Sequence, residues 1–257
     1  MTSDFDAEQI AELILDARQR REPIAPLTDA MPLSMPQAYQ VQMAVTRRRV
    51  GFGHQIVGWK LGYTSQAMRT QMGVAEMNFG PLTDAMALPN ASKVPGGAIQ
   101  PLVEPEAAFV MARELRAPCA IQDVLTATQE VRACLEVVDP IWTDRRFRIE
   151  DNTADGSSAA FYVLGDPLDH RDLPSLQVVL FHDGEPVGTA TGAAASGHPA
   201  SGVAWLAAKL AQRQLSLRPG DIVLSGGLTR AQPLEPGHEI TAEFTHGTST
   251  TRVSVSR

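Results

Sequence analysis

Three glutamates in two apolar segments are the residues of this chain best suited to chemistry. Glu104 and Glu106 are two apart in a run typical of a strand, so their side chains project from one face. Glu136 stands in a second apolar run, where a solitary carboxylate is costly to bury without a cation. Such a trio, with no basic cluster nearby, favours a hard divalent cation, Mg²⁺ or Mn²⁺. The alternative is that Glu104 and Glu106 line a solvated face and Glu136 pairs with an arginine.

Composition excludes several classes of protein. The 257 residues are 44% hydrophobic, enough for one large domain or one domain with a small appendage. The net charge of −7 argues against nucleic acid as the main partner. No apolar run approaches the roughly 20 residues that span a bilayer, and the acidic N-terminus lacks the features of a secretory signal. The two cysteines, Cys119 and Cys134, form no C-x-x-C pair, and we expect a cytoplasmic protein.

The first fifth of the chain is predicted to be helical. Residues 4 to 21 form an amphipathic pattern that Ser3 or Asp4 can cap, and a second helix is expected from about Met35 to the Gly51–Gly53 break, with Ser34 as its cap. These elements define a helical segment over residues 1–53.

Residues 54–257 have a different pattern: short apolar runs bounded by Gly, Pro, Asp or Asn, as expected of strands and turns. Further helices are predicted over Ile121–Ala133 and Gly202–Gln214, the latter capped by Ser201. The predicted strands lie at 56–59, 107–111, 135–138, 160–164, 176–181, 222–224, 240–244 and 250–255. Because strands and helices do not alternate regularly, the fold class is predicted as α+β: an N-terminal helical segment packed on a mixed, largely antiparallel β-sheet that would carry the catalytic residues.

The order of motifs resembles the fumarylacetoacetate hydrolase superfamily, in its 2-keto-4-pentenoate hydratase and 4-oxalocrotonate decarboxylase branch. The matching segments are Gly58–Ser65, Gln71–Val74, Asn78–Gly80, Val103–Phe109, Leu135–Asp139, Glu150–Ser158, Gly197–Pro199 and Asp221–Leu228. They occur in sequence along nearly the whole chain. The resemblance therefore implies a β-roll of this family's C-terminal type.

The resemblance also implies roles for individual residues. Glu104, Glu106 and Glu136 match the family's Mg²⁺ or Mn²⁺ ligands, and Lys60 matches its active-site lysine. Burying a charged lysine between two apolar strand residues costs free energy, which favours a functional role for it. The alternative is that its side chain extends to solvent from a strand edge. The substrate-binding residues implied are Lys60, Asn78, Asp155 and Ser158, where the loop of small polar residues is also what a tight turn contains.

One departure bears on proton transfer. Asn78 stands where relatives often carry an aspartate before the Phe-Gly pair, as a partner for the lysine. Asn78 cannot act as a base, so the reaction and its pH dependence stay open at this point.

The function implied is a metal-dependent lyase that hydrates 2-hydroxypenta-2,4-dienoate (2-keto-4-pentenoate) to 4-hydroxy-2-oxopentanoate in aromatic catabolism by meta-cleavage. The alternative is a 4-oxalocrotonate-type decarboxylase, whose dicarboxylate substrate needs a distal cationic side chain from Arg145, Arg146 or Arg148. An acylpyruvate hydrolase and a non-catalytic partner subunit are less favoured alternatives. The resemblance also implies a homo-oligomer, and leaves open a complex with a related decarboxylase or a downstream aldolase.

Overall fold

Three helices form the N-terminal part of the computed structural model, which describes residues 5–66, 69–70, 73–169 and 171–257. Helix α1 is Ala7–Arg20, α2 is Leu27–Ala30 and α3 is Met35–Gly51. The carboxylate of Asp6, not Ser3 or Asp4, caps α1 by accepting bonds from the Glu8 and Gln9 amides; Ser3 and Asp4 lie outside the described residues. Ser34 precedes α3 as predicted, and Gln37 Oε1 accepts the bond from its backbone N–H.

The remaining chain folds into two mixed sheets. The larger has the order β2-β1-β10-β5-β6-β7-β3, with β11 also on β5, and the smaller has the order β4-β13-β12-β8-β9. The strands are β1 Ile56–Gly62, β2 Asn78–Thr83, β3 Ala87–Leu88, β4 Ser92–Lys93, β5 Leu102–Met111, β6 Thr128–Val138, β7 Ala159–Leu168, β8 Gln177–His182, β9 Glu185–Thr191, β10 Ile222–Leu224, β11 Gln232–Pro233, β12 Glu239–His246 and β13 Ser249–Ser256. Most neighbours are antiparallel, which confirms the predicted fold class.

The sheets pack face to face, and the helical segment has a core of its own. A Cβ added to Gly165 in β7 would meet the Cβ atoms of Ala133 and Val253 at 3.2 Å, so glycine lets the two sheets approach closely. Ile10 and Ile14 of α1 are buried in a second cluster that includes Trp142 from the strand region. The helices are therefore anchored on the loop that follows β6.

Helices also lie between the strands, among them α4 Ile121–Ala127, α5 Ile149–Ala154 and α6 Pro199–Ala211. The helix predicted to Ala133 ends six residues earlier because Thr128–Val138 pairs with β5 and β7, and that pairing overrides local helical spacing. Helix α6 begins before Ser201: His198 Nδ1 accepts the Ala200 amide and is the cap. Among the described residues, no helix has both the length and the apolar character needed to cross a bilayer.

A candidate metal centre beside a buried lysine

Strand register brings the three glutamates together. Glu104 in β5 lies directly opposite Glu136 in β6, and Glu106 lies two residues further along the same face of β5. Carboxylate oxygens of the three residues lie within 4.8 Å of one another. Glu106 and Glu136 are fully buried, while Glu104 lies at the edge of a cavity. The predicted trio is thus one cluster, and the solvated-face alternative is wrong.

Lys60 reaches the same cluster from β1. Its Nζ lies 3.1 Å from Glu136 Oε2 and donates to the carbonyl oxygen of Ser157 at 3.1 Å. The side chain is only 3% exposed, so Lys60 does not snorkel to solvent, and Glu136 pairs with this lysine rather than with an arginine. Burial works against the charged form of Lys60, but attraction from Glu136, Glu106 and Glu104 outweighs it and raises the pKa of the ammonium.

The cluster carries more negative charge than Lys60 can balance. Burial raises the pKa of Glu104 to about 7; attraction from Lys60 opposes this shift, and a smaller repulsion from Glu136 adds to it. Burial likewise raises the pKa of Glu106, where repulsion from Glu136 adds to the shift, and that of Glu136, where attraction from Lys60 opposes it. Within the described part of the chain, Glu106 Oε1 and Glu136 Oε1 are buried and accept no hydrogen bond. Buried carboxylate oxygens without donors fit a hard divalent cation, which satisfies oxygens and charge together.

Two glycines after β10, Gly226 and Gly227, shape this centre, although the sequence analysis gave them no role there. The Gly226 amide donates to Glu106 Oε2 at 2.7 Å. A Cβ added to Gly227 would lie 2.8 Å from Glu104 Cδ, so any larger residue would push that carboxylate aside. The available signal was Gly-Gly directly after a strand, which marks a close approach of backbone to another group.

A tight turn between α5 and β7 supports the lysine from behind. Besides its carbonyl, Ser157 places Oγ 3.4 Å from Lys60 Nζ, and that hydroxyl donates to Asn78 Oδ1 at 3.0 Å. The Asn78 amide in turn donates to Asn152 Oδ1 and Thr153 Oγ1, both at 2.9 Å. Asn78 is thus linked to Lys60 through Ser157 and is fully buried.

Asp155 fixes the other end of this turn. Its Oδ1 accepts the Ser158 amide at 2.7 Å, while Ser158 Oγ accepts from Asn152 Nδ2 at 2.8 Å. Burial raises the pKa of Asp155 to about 6, against the pull of Arg18, whose Nη2 lies 3.7 Å away. Of the four residues expected to contact substrate, Lys60 and Ser158 line the cavity, whereas Asn78 and Asp155 stand behind the turn because their polar atoms are engaged in holding it.

The cavity above the cluster has a volume of about 900 Å³ and a mixed wall. Its floor is formed by Lys60 and Glu104, and much of the remaining wall is apolar. The apolar members are Leu102, Val138, Pro140, Phe147, Val187, Ala194, Leu228 and Ala231. Such a space takes a small molecule with one anionic end and an apolar tail.

Two arginines, Arg145 and Arg230, also line this cavity. Arg145 was one of the three arginines considered from sequence, and Arg230 was not among them. Arg146 instead pairs with the exposed Asp29, and Arg148 precedes α5 as its cap. Of the predicted motifs, only Gln71 and Met72 lie outside the described residues.

Comparison with known proteins agrees with this geometry. Residues 55–254 match the family model for the fumarylacetoacetate (FAA) hydrolase C-terminal domain. The chain is 38% identical over 236 residues to a 2-keto-4-pentenoate hydratase from Paraburkholderia xenovorans (strain LB400), covering 90% of this chain and 88% of that protein. It is 36% identical over 241 residues to a 4-oxalocrotonate decarboxylase from Pseudomonas sp. (strain CF600), covering 91% of each chain.

A solved structure gives the same result in three dimensions. The 4-oxalocrotonate decarboxylase from Pseudomonas putida G7, complexed with magnesium and adipate, matches with a TM-score of 0.91 and 34% identity. The match covers 97% of this chain and 96% of that one.

Proposed function

The chain belongs to the fumarylacetoacetate hydrolase family, and from this membership and the site geometry we propose that it is a metal-dependent hydro-lyase. Its proposed substrate is 2-hydroxypenta-2,4-dienoate (2-keto-4-pentenoate), which gains one water to give 4-hydroxy-2-oxopentanoate. The observation that carries the proposal is the three-glutamate cluster, placed beside a buried lysine at the floor of a cavity with a largely apolar wall.

Glu104, Glu106 and Glu136 are the proposed ligands of a divalent cation, Mg²⁺ or Mn²⁺. Related structures support a divalent metal, since the decarboxylase with a TM-score of 0.91 was solved with magnesium. When bound, the cation supplies a Lewis acid for the substrate's 1-carboxylate and 2-oxygen.

Lys60 is the proposed proton-transfer residue. Its ammonium is held by Glu136 and by the Ser157 carbonyl, which fixes Nζ at the floor of the cavity. From there the ammonium can donate a proton to the carbon chain, and the amine that remains can take up the proton of the dienol hydroxyl. Ketonisation leaves an α,β-unsaturated ketone whose β-carbon is electrophilic and accepts water. The apolar wall suits the uncharged tail of this substrate.

Asn78, Asp155 and Ser158 receive supporting roles in this proposal. Ser158, which lines the cavity, is the proposed substrate contact. Asn78 and Asp155 act as positioning residues, since each binds the turn that carries Ser157 and Ser158.

An absorbance assay on the purified protein tests the proposal directly. The dienoate should disappear with added Mg²⁺ and persist after exhaustive chelation. Glu106→Gln should abolish most turnover while preserving the fold, because the glutamine carbonyl can still accept the Gly226 amide. Glu114→Gln, at an exposed surface glutamate, is the matched control and should keep full activity. Full activity of the wild type without any divalent cation would refute the metal mechanism.

A second candidate, 4-oxalocrotonate-type decarboxylation, is favoured by Arg145 and Arg230. Both line the cavity, where a guanidinium can bind the far carboxylate of a dicarboxylate. The same assay with 4-oxalocrotonate separates the candidates. Arg230→Gln should raise the KM for the dicarboxylate and leave the KM for the monocarboxylate nearly unchanged. Inactivity of the purified protein on both compounds would instead favour a non-catalytic subunit.

We further propose that the protein works in the cytoplasm as a homo-oligomer. Large apolar side chains are exposed on α1 and α3 and just beyond, including Leu13, Met43 and Phe52, the last of them 76% exposed. Light scattering tests this against the monomer mass of 27.7 kDa. Phe52→Glu should shift the mass downward, while Leu215→Glu, at another exposed apolar residue, should not. A wild-type monomer at micromolar concentration would contradict the proposal.

A further inference from the structure

A second cavity, separate from the one above the glutamates, lies between the helical segment and the larger sheet. We call it the arginine pocket; Arg18 of α1, Arg49 of α3 and His54 line it together with apolar side chains that include Met86, Ile99 and Phe161. Its volume is about 260 Å³, and none of the described residues lines both this pocket and the larger cavity. Neither the family resemblance nor the proposed reaction gives it a role.

The pocket has hydrogen-bond donors without acceptors. Arg18 Nε, Arg18 Nη2 and His54 Nδ1 are buried and have no hydrogen-bond partner among the described residues. Arg49 lines the same pocket, where Asp155 attracts its charge. All the buried side-chain atoms of the wall that lack a partner in the described chain are nitrogens. Because the unpartnered Arg18 nitrogens can only donate, a ligand of this pocket should be a hydrogen-bond acceptor.

The nearby carboxylates do not satisfy these unpartnered hydrogen-bond donors. Asp139 already accepts the Ile99 and Gln100 amides, at 2.9 and 2.7 Å, and Asp155 accepts the Ser158 amide. Arg18 lies 3.8 Å from Asp139 and 3.7 Å from Asp155, within range of an ion pair but beyond that of a hydrogen bond. Burial, with repulsion from Arg18, lowers the pKa of Arg49 to about 10, although attraction from Asp155 opposes this shift.

We propose that the arginine pocket binds a small organic carboxylate with an apolar body. Its carboxylate would accept from the guanidinium groups of Arg18 and Arg49, a geometry that planar N–H donors favour. Its body would lie against Met86, Ile99 and Phe161. A monoanion suits the site better than phosphate because Asp139, on the same wall, would repel a second negative charge.

The pocket is connected to the candidate active site through Arg18. This arginine faces Asp155, which holds the Ser158 amide, and Ser158 lines the larger cavity. A carboxylate bound to Arg18 would compete with Asp155 for its positive charge. Occupancy of the pocket should therefore affect the turn that carries Ser157 and Ser158.

Calorimetric titration of benzoate into metal-free protein tests the proposal without any measurement of turnover. We expect saturable binding, and about 10- to 100-fold weaker binding of benzamide, which has the same shape and no charge. Arg49→Met should weaken benzoate binding by a similar factor. Arg47→Met is the matched control, since Arg47 lies on the same helix and pairs with Glu8 at the surface.

Two further arms make the outcome decisive. Arg230→Gln should leave benzoate binding unchanged, which separates the pocket from the larger cavity. Arg49→Lys keeps the charge and should retain part of the affinity if Arg49→Met does not fold. Absence of saturable binding, equal binding of benzamide, or loss of binding in Arg230→Gln but not in Arg49→Met would overturn the proposal. Because no arm depends on the proposed hydratase reaction, failure of one leaves the other standing.

Discussion

Cation affinity should depend steeply on pH, because the glutamates hold protons that a cation must displace. In the folded, metal-free protein the pKa of Glu104 is raised to about 7, and that of Glu106 is raised as well. A cation binds the ionised carboxylate, so binding must release any proton held there. The perturbation is therefore a change of pH from 8 to 6 at constant ionic strength.

The magnitude follows from Glu104 alone. With a pKa of about 7, this carboxylate is mostly ionised at pH 8 and mostly protonated at pH 6, so its proton reduces the apparent affinity by about tenfold over that interval. Glu106 is shifted in the same direction and adds to the effect. We expect at least about a tenfold loss of Mn²⁺ affinity from pH 8 to pH 6, with proton release on binding.

Isothermal titration in two buffers of different ionisation enthalpy measures both quantities. At pH 6 about one proton or more should be released per cation bound. Glu104→Gln should bind the cation more weakly and release about one proton fewer, whereas Glu114→Gln should match the wild type. Equal affinity at both pH values, with no proton released, would show that the glutamates are ionised without the cation, and the reasoning would be wrong.

The remaining predictions concern the surroundings of the cluster. Lys60→Met should reduce turnover by roughly 10²- to 10⁴-fold in kinetic assays while calorimetry still detects the cation; Lys93→Met is its exposed control. Gly227→Ala should weaken cation affinity by displacing Glu104, whereas Gly96→Ala, where a Cβ meets nothing within 4 Å, should not. Asn78→Asp should lower the free energy of unfolding by about 1–3 kcal/mol in denaturant titrations, because two donated bonds are lost. Wild-type values in these variants would contradict the three assignments. Added Mg²⁺ should raise the melting temperature more at pH 8 than at pH 5.5. Carboxylates whose pKa values are raised by folding lose their contribution to stability as the pH rises from about 4.5 through 7. At the higher pH the bound cation replaces that contribution.

The sequence predicts which residues form the centre better than it predicts how the strands bring them together. Spacing alone places Glu104 and Glu106 on one face, and the cost of burying Glu136 and Lys60 indicates that they meet opposite charges. The pairing of Glu104 with Glu136 depends on the register between β5 and β6, which local spacing does not encode.

Elements outside the centre show the same limit. Strand β2 was not predicted, because Gly80 and Pro81 break its apolar pattern, yet it pairs with β1 throughout. The Asp155–Ser158 segment has the composition of any tight turn, and only the fold shows which members face the cavity. The unpartnered nitrogens of Arg18 are likewise invisible in sequence, since they depend on contacts between α1 and residues far along the chain.

Because the residue at position 78 is neutral, the charge of Lys60 depends on the three glutamates. The Asn78 amide donates to two acceptors, so it fits its surroundings as a carboxylate would not. The anions that raise the pKa of Lys60 are therefore Glu136, Glu106 and Glu104, the same groups proposed to hold the cation. A divalent cation among them would offset that attraction, and the ammonium would give up its proton more readily when the centre is loaded. We therefore expect Lys60 to be coupled to the cation through shared carboxylates, which would connect metal binding to proton transfer without a separate base.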